Sequence, residues 1–193
     1  MRSLCIIFPI FWVFQVGYAS SVDRELYSDI HDGWRSPTMD FVMESMSKLG
    51  SREVCLSMLL ALSTFGGEKA KAASKLSLVS LASGQIVCGL LKASVNRERP
   101  EGYDSSRWNS SFPSGHAAGA FSLATVFSNR YPHLRLPLYV LAGAVSVSRV
   151  YLGAHYPSDV VAGAIIGYTS SRLTLAHEIQ ILGFTVSMNL GGW

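Results

Sequence analysis

The chain has 193 residues, of which 49% are hydrophobic and only 15% charged, and it carries a formal net charge of +3. That length holds one domain with a real core. The charge is too weak and too scattered for nucleic-acid binding, and the three cysteines show no zinc spacing.

The opening stretch "MRSLCIIFPIFWVFQVGYASSVDRE" has the layout of a secretory leader. Arg2 supplies the positive start, an apolar run follows from Leu4 to Val16, and Gly17 and Ala19 are small residues placed for cleavage after Ala19. Residues 1–19 therefore read as a signal peptide, or as an uncleaved N-terminal anchor; either exports the chain that follows. Cys5 lies too early in this run for a lipoprotein cysteine, and Cys55 and Cys88 fall in apolar helical runs as buried thiols. Residues 20–50 form an N-terminal amphipathic segment, where Pro37 suits a helix start and Gly50 a helix end. Five apolar stretches follow, at about 54–66, 74–92, 115–129, 136–152 and 158–177. None alternates as a strand does, and all are rich in Ala, Leu, Ser and Gly, so helices are expected. Residues 51–178 thus read as one all-α helical bundle. Residues 179–193 are a C-terminal tail whose Phe184–Leu190 stretch alternates apolar and polar residues, as an added strand or a loose end would.

Two patterns bear on membrane embedding. The uninterrupted apolar cores run about 12–17 residues, short of the roughly 20 that a span needs, and contain Ser, Thr or Gln. Against this, Lys69, Lys71 and Lys75, then Arg130 and Arg135, then Arg172 would all fall at one end of an antiparallel bundle, as the positive-inside rule requires of spanning helices. The second pattern tips the balance towards a membrane-embedded or membrane-apposed bundle.

Three charged stretches share the opposite, exported end. "KASVNRERP" carries Lys92 and Arg99, "SFPSGHAAGAF" carries Ser114, Gly115 and His116, and "SRVYLGAHYPSD" carries Arg149, His155 and Asp159. Three cations can neutralise a dianion, and the arginine fork matches phosphate oxygens. Ser114 is a good N-cap, leaving free N–H groups at the helix start, and Gly115 lets a ligand approach the backbone. Two histidines beside such a cradle can divide attack from proton donation. Asp159, one helical turn after His155, can hold the ring of that histidine. No Asp/His cluster has metal-ligand spacing.

These three stretches resemble the signature motifs of the type 2 phosphatidic acid phosphatase superfamily, Lys-x6-Arg-Pro, Pro-Ser-Gly-His and Ser-Arg-x5-His-x3-Asp. Every conserved position of that pattern is present, in order and at the right spacing, within a resemblance covering about residues 38 to 177. The resemblance implies a bundle of about six helices with its active site at one end. It also implies hydrolysis of a phosphomonoester or diphosphate through a phosphohistidine, with no metal and no cofactor. By position, His155 would be the nucleophile, Asp159 its orienting partner and His116 the acid on the leaving oxygen. Lys92, Arg99, Ser114, Gly115 and Arg149 would hold the phosphate. "YLGAHYPSD" looks more like the bacterial lipid phosphatase branch, so a lipid phosphate in the cell envelope, with the site facing the periplasm, is the expected substrate. The alternatives are a soluble periplasmic acid phosphatase of broad specificity, a vanadate-dependent haloperoxidase of the same superfamily, and a silent phosphate- or lipid-binding protein. Trp34, Tyr103 and Trp108 read as surface packing or a substrate entrance. Arg97 reads as a solvated neighbour of Arg99 with room for a helping role, and His133 and His177 as surface histidines.

Overall fold

The computed structural model describes residues 18–101 and 109–183. They form α1 (Ser21–His31), α2 (Pro37–Leu49), α3 (Arg52–Phe65), α4 (Glu68–Val95), α5 (Gly115–Arg130), a short 3-10 turn (Pro132–Leu134), α6 (Arg135–Tyr151) and α7 (Pro157–Ala176). The all-α expectation holds, with no strand among the described residues. The leader up to Gly17, the alternating tail from Phe184, and Tyr103 and Trp108 lie outside the described residues. The single amphipathic segment expected over 20–50 is two helices, because the chain turns at Asp32–Trp34 between capping serines. Ser20 accepts from Asp23 N, and Ser36 accepts from Met39 N.

The stretch "GGEKAKAASK", which lies between the apolar runs expected at about 54–66 and 74–92, is mostly helix. Gly66 and Gly67 precede α4, and Glu68 starts it. Ala and Lys are good helix formers, Glu68 suits the positive N-terminal end, and Lys71 pairs with it at 3.2 Å. α4 is therefore 28 residues long, about 42 Å at the helical rise. This overturns the short-core argument for that segment. α4 is long and apolar enough to cross a membrane by length and composition, with only 17% of its most apolar window buried in the bundle. Ile86 and Leu90 point outward from it, as do Leu60 on α3, Leu136 and Val140 on α6, and Val161 and Ile165 on α7.

α5 sits at the centre, packed against α4, α6 and α7. Its buried face is nearly all small, including Ala117, Ala118, Gly119 and Ala120, so its neighbours approach closely. Gly163 and Gly167 of α7 take this furthest: a Cβ on Gly167 would lie 2.1 Å from the Ala118 carbonyl oxygen, and one on Gly163 2.3 Å from that of Ser114. The serines within the apolar runs belong to this interface. Ser80 and Ser171 hydroxyls meet at 2.5 Å, Ser171 donates to Ser122 O at 3.0 Å, and Ser122 donates to Gly167 O at 3.2 Å. They are satisfied inside the bundle and do not mark a water-facing surface. Cys55 and Cys88 are buried free thiols, as expected.

Gly167→Ala is expected to destabilise the protein by about 1–3 kcal/mol through overpacking. Gly143→Ala on α6, where a Cβ meets nothing within 4 Å, should leave the melting temperature unchanged or raise it. Thermal unfolding of both variants in detergent checks this; equal melting temperatures would mean that α5 and α7 are free to separate.

The bundle has two chemically distinct ends. At one, the Lys69 ammonium lies 5.1 Å over the Tyr131 ring and Arg130 pairs with Glu178. The other end carries the C-termini of α4 and α6 and the N-termini of α5 and α7.

Candidate active site

The second end gathers the three motif stretches. α4 stops at Asn96, whose left-handed backbone (φ 48°) turns the chain back after Lys92 O accepts its N–H. The segments at 97–98 and 110–111 bond to each other: Ser111 N donates to Arg97 O at 2.8 Å, and Ser111 Oγ donates to Glu98 O at 3.0 Å. Lys92 donates to Ser110 O. Arg99 is held in place by Asn109 O (3.1 Å), Asn109 Oδ1 (3.0 Å) and Ala154 O (2.7 Å). Arg149, in the last turn of α6, donates to Ser47 of α2.

Between α6 and α7 the chain reverses at Gly153, with φ +70°. A side chain there would be strained, and its Cβ would also strike Glu101 Cδ at 2.2 Å. The reversal brings Ala154 N and His155 N onto Arg149 O (3.1 and 3.2 Å), so cation and histidine share one turn. Pro157 then opens α7, and Asp159 Oδ2 accepts from Tyr156 N at 2.8 Å. His155 Nδ1 lies 3.7 Å from the same oxygen, and its Nε2 lies 3.5 Å from Arg99 Nη1. The two ring nitrogens therefore face different partners, a carboxylate behind and a cation in front. Burial pushes the His155 imidazole down to about 4, against the pull of Asp159, so the ring is neutral at ordinary pH.

Lys92, Arg99, Gly115, His116, Arg149 and His155 line one cavity of about 460 Å³. Of the eight expected site residues, these six share the cavity wall. Asp159 and Ser114 stand behind it, both fully buried. Ser114 caps α5 by accepting from Ala117 N (3.4 Å), and its own N–H donates to Asp159 O (2.9 Å). The amides of Gly115 and His116 begin the helix, where no intrahelical acceptor reaches them. The far wall of the cavity is apolar, with Leu56, Leu78, Leu81 and Ala82. A second, apolar hollow of about 220 Å³ adjoins it and shares Gly50 and Cys55.

The PAP2 superfamily family model matches residues 74–178. The chain belongs to the PAP2 superfamily. A lipid A 1-phosphatase of Rhizobium johnstonii is 33% identical over 119 residues, covering 56% of this chain and 48% of that protein. The chain thus spans about half the length of that curated relative, and 51% of its Rhizobium etli counterpart. The crystal structure of LpxE from Aquifex aeolicus superposes with a TM-score of 0.70 at 29% identity, covering 81% of this chain and 96% of that one. A transmembrane PAP2-type phosphatidylglycerolphosphate phosphatase from Bacillus subtilis shares the fold, with a TM-score of 0.69 at 23% identity over 94% and 98% of the two chains.

Sequence reasoning missed four residues here. Gln85 lines the cavity and donates to Gly115 O at 3.0 Å, and Ser47 meets Arg149. Arg97, expected to be solvated, is 3% exposed and bound between Asp23 and Asp159. The bare clue was its place two residues before Arg99; nothing local pointed to Asp23. Trp34 lies half-exposed in the turn before α2, outside the cavity wall, and His133 and His177 are exposed as expected.

Proposed function

We propose that this PAP2 protein is a metal-independent phosphatase that hydrolyses a lipid phosphate or diphosphate. One observation carries the reading: Lys92, Arg99 and Arg149 converge with His116 and His155 on a cavity whose far wall, built of Leu56, Leu78, Leu81 and Ala82, is apolar. The cationic group suits a phosphate dianion, and the apolar wall with its adjoining hollow suits hydrocarbon. The lipid A 1-phosphatase relative supports the same substrate class.

In this mechanism the neutral His155 Nε2 attacks phosphorus, and the bond from phosphorus to the ester oxygen breaks. His116 gives that oxygen its proton, and the lipid alcohol leaves. Water then attacks the phosphohistidine, returning its proton to His116 and releasing inorganic phosphate and free His155. Lys92, Arg99, Arg149 and the first amides of α5 hold the equatorial oxygens, whose charge peaks in the five-coordinate transition state. Asp159 steadies the positive charge that forms on the ring.

We place the protein in the membrane of a bacterial cell envelope, with this site at the exported end. The outward apolar faces of α4, α6 and α7 and the cluster of Lys69, Lys71, Lys75, Arg130 and Arg135 at the other end support that orientation. Carbonate-washed membranes should retain the activity, releasing phosphate from a detergent-dispersed lipid phosphate faster than from a small chromogenic ester, in the presence of EDTA. Vanadate should inhibit as a five-coordinate mimic. Activity freed by osmotic shock with small esters preferred would favour the soluble acid phosphatase, and loss in EDTA with rescue by a divalent ion would overturn the metal-free mechanism.

A further inference from the structure

Behind His155 lies a chain of buried charges that joins Asp159 to two residues, Arg97 and Asp23, that are not fixed positions of the three motifs. Arg97 Nη1 donates to Asp159 Oδ1 at 2.6 Å and Nη2 to Asp23 Oδ2 at 2.6 Å. Nη1 also reaches Ser158 Oγ at 2.7 Å, and the guanidinium lies 4.7 Å over the Tyr156 ring. Asp23, on α1, accepts from Ser158 N at 2.9 Å and from the Ser158 hydroxyl. Arg97 is 3% exposed, Asp23 6% and Asp159 0%. Tyr27 and Ile30 of α1 pack on Val150, Ala117 and Val160, so apolar packing already seats this helix on the bundle. A buried charged trio is a poor way to add stability to that seat, because desolvation offsets most of the attraction.

The geometry gives the trio another role. The Arg97 bond engages Oδ1 of Asp159 and sets the rotation of the carboxylate. That leaves Oδ2 facing Tyr156 N and the His155 ring. Charge matters as much as direction. Arg97 alone would cancel Asp159; with Asp23 added, the trio presents one net negative charge to His155. We propose that Asp23 and Arg97 are positioning residues for catalysis, which orient Asp159 and maintain the negative charge that supports His155 as it takes up the phosphoryl group. The inference rests on the reading of His155 as nucleophile.

The other charged groups facing His155 are Lys92 and Arg99, with Arg52, His116 and Arg149 on the same cavity wall. All five stay constant in the test. Asp23→Asn makes the trio neutral. Its kcat should fall about 10- to 100-fold, the equivalent of one charge-assisted hydrogen bond, with KM unchanged because the phosphate cradle is intact. The acid limb of its kcat–pH profile should move to lower pH, since a neutral trio supports the imidazolium less. Arg97→Met leaves two uncompensated carboxylates, and its acid limb should move to higher pH. The double variant restores one net negative charge, and its limb should return towards the wild-type position. If Arg97→Met alone does not fold, Asp23→Asn and the double variant carry the comparison. Wild-type kcat and an unmoved limb in Asp23→Asn, or lowered melting temperatures alone, would overturn the proposal. Wild-type turnover abolished by His155→Ala in the same assay separates that failure from failure of the phosphatase reading.

Discussion

Replacing His155 by alanine is expected to abolish turnover, with a loss of about 10⁴-fold or more, the scale of a removed nucleophile. The side chain is nearly fully buried at the cavity floor, and its Nε2 is the ring nitrogen turned towards Arg99 and away from Asp159. The fold should survive. Arg99 is anchored through Asn109 and Ala154, and the closest polar approach of the ring is the 3.5 Å one to Arg99. The same burial that hides the ring pushes its pKa down to about 4. A nucleophilic imidazole must be neutral, so the acid limb of wild-type kcat/KM should lie near that value, well below the ordinary imidazole range. Trapping after a brief reaction with a radiolabelled phosphate donor should find label on the wild type and none on the variant. A variant that keeps near-normal activity, or keeps the label, sinks the assignment.

His116→Ala should show the second largest loss, and the size should depend on the leaving group. A lipid alkoxide leaves poorly without a proton, so hydrolysis of a lipid phosphate should slow about 10²- to 10⁴-fold. A nitrophenolate needs no such proton, and the chromogenic ester should lose far less. His116 sits in the first turn of α5, on the cavity wall with Arg149 and His155, where it could reach an oxygen on the far side of phosphorus from His155. Equal losses on the two esters would instead assign His116 to phosphate binding.

These residues were legible because phosphate chemistry narrows the choice of side chain. A cradle needs arginine or lysine, attack needs an unprotonated histidine, and each must end up at a helix terminus where backbone amides are unspent. Helix ends carry local signals, so Ser114 before Gly115 and Pro157 before Asp159 could be placed from neighbours alone. The Lys-rich stretch before residue 75 reads as a connection because its charges interrupt the apolar pattern just after Gly66 and Gly67, although alanine and lysine are good helix formers. The long-range pairing of α4 with α5 decides between them: Lys69 can lie over Tyr131 only if the helix extends that far. Serines inside apolar runs argue for a packed bundle over spanning helices, and the structure shows the packing without deciding against the span: Ser80, Ser122 and Ser171 spend their hydroxyls on one another and on backbone carbonyls.

The sequence by itself determined the helical class, the separation of the basic stretches and the motif stretches to opposite ends, and six of the residues that line the cavity. All of these follow from local periodicity, capping and residue chemistry, which act over a few positions. Only the tertiary structure decided which charges are buried and which are solvated. Arg97 and Asp23 stand 74 positions apart, and Arg97 and Asp159 stand 62 apart. A charged side chain on its own reads as solvated, because burying it without a partner costs too much. The partner becomes visible only when α1, the end of α4 and the start of α7 are folded onto one another.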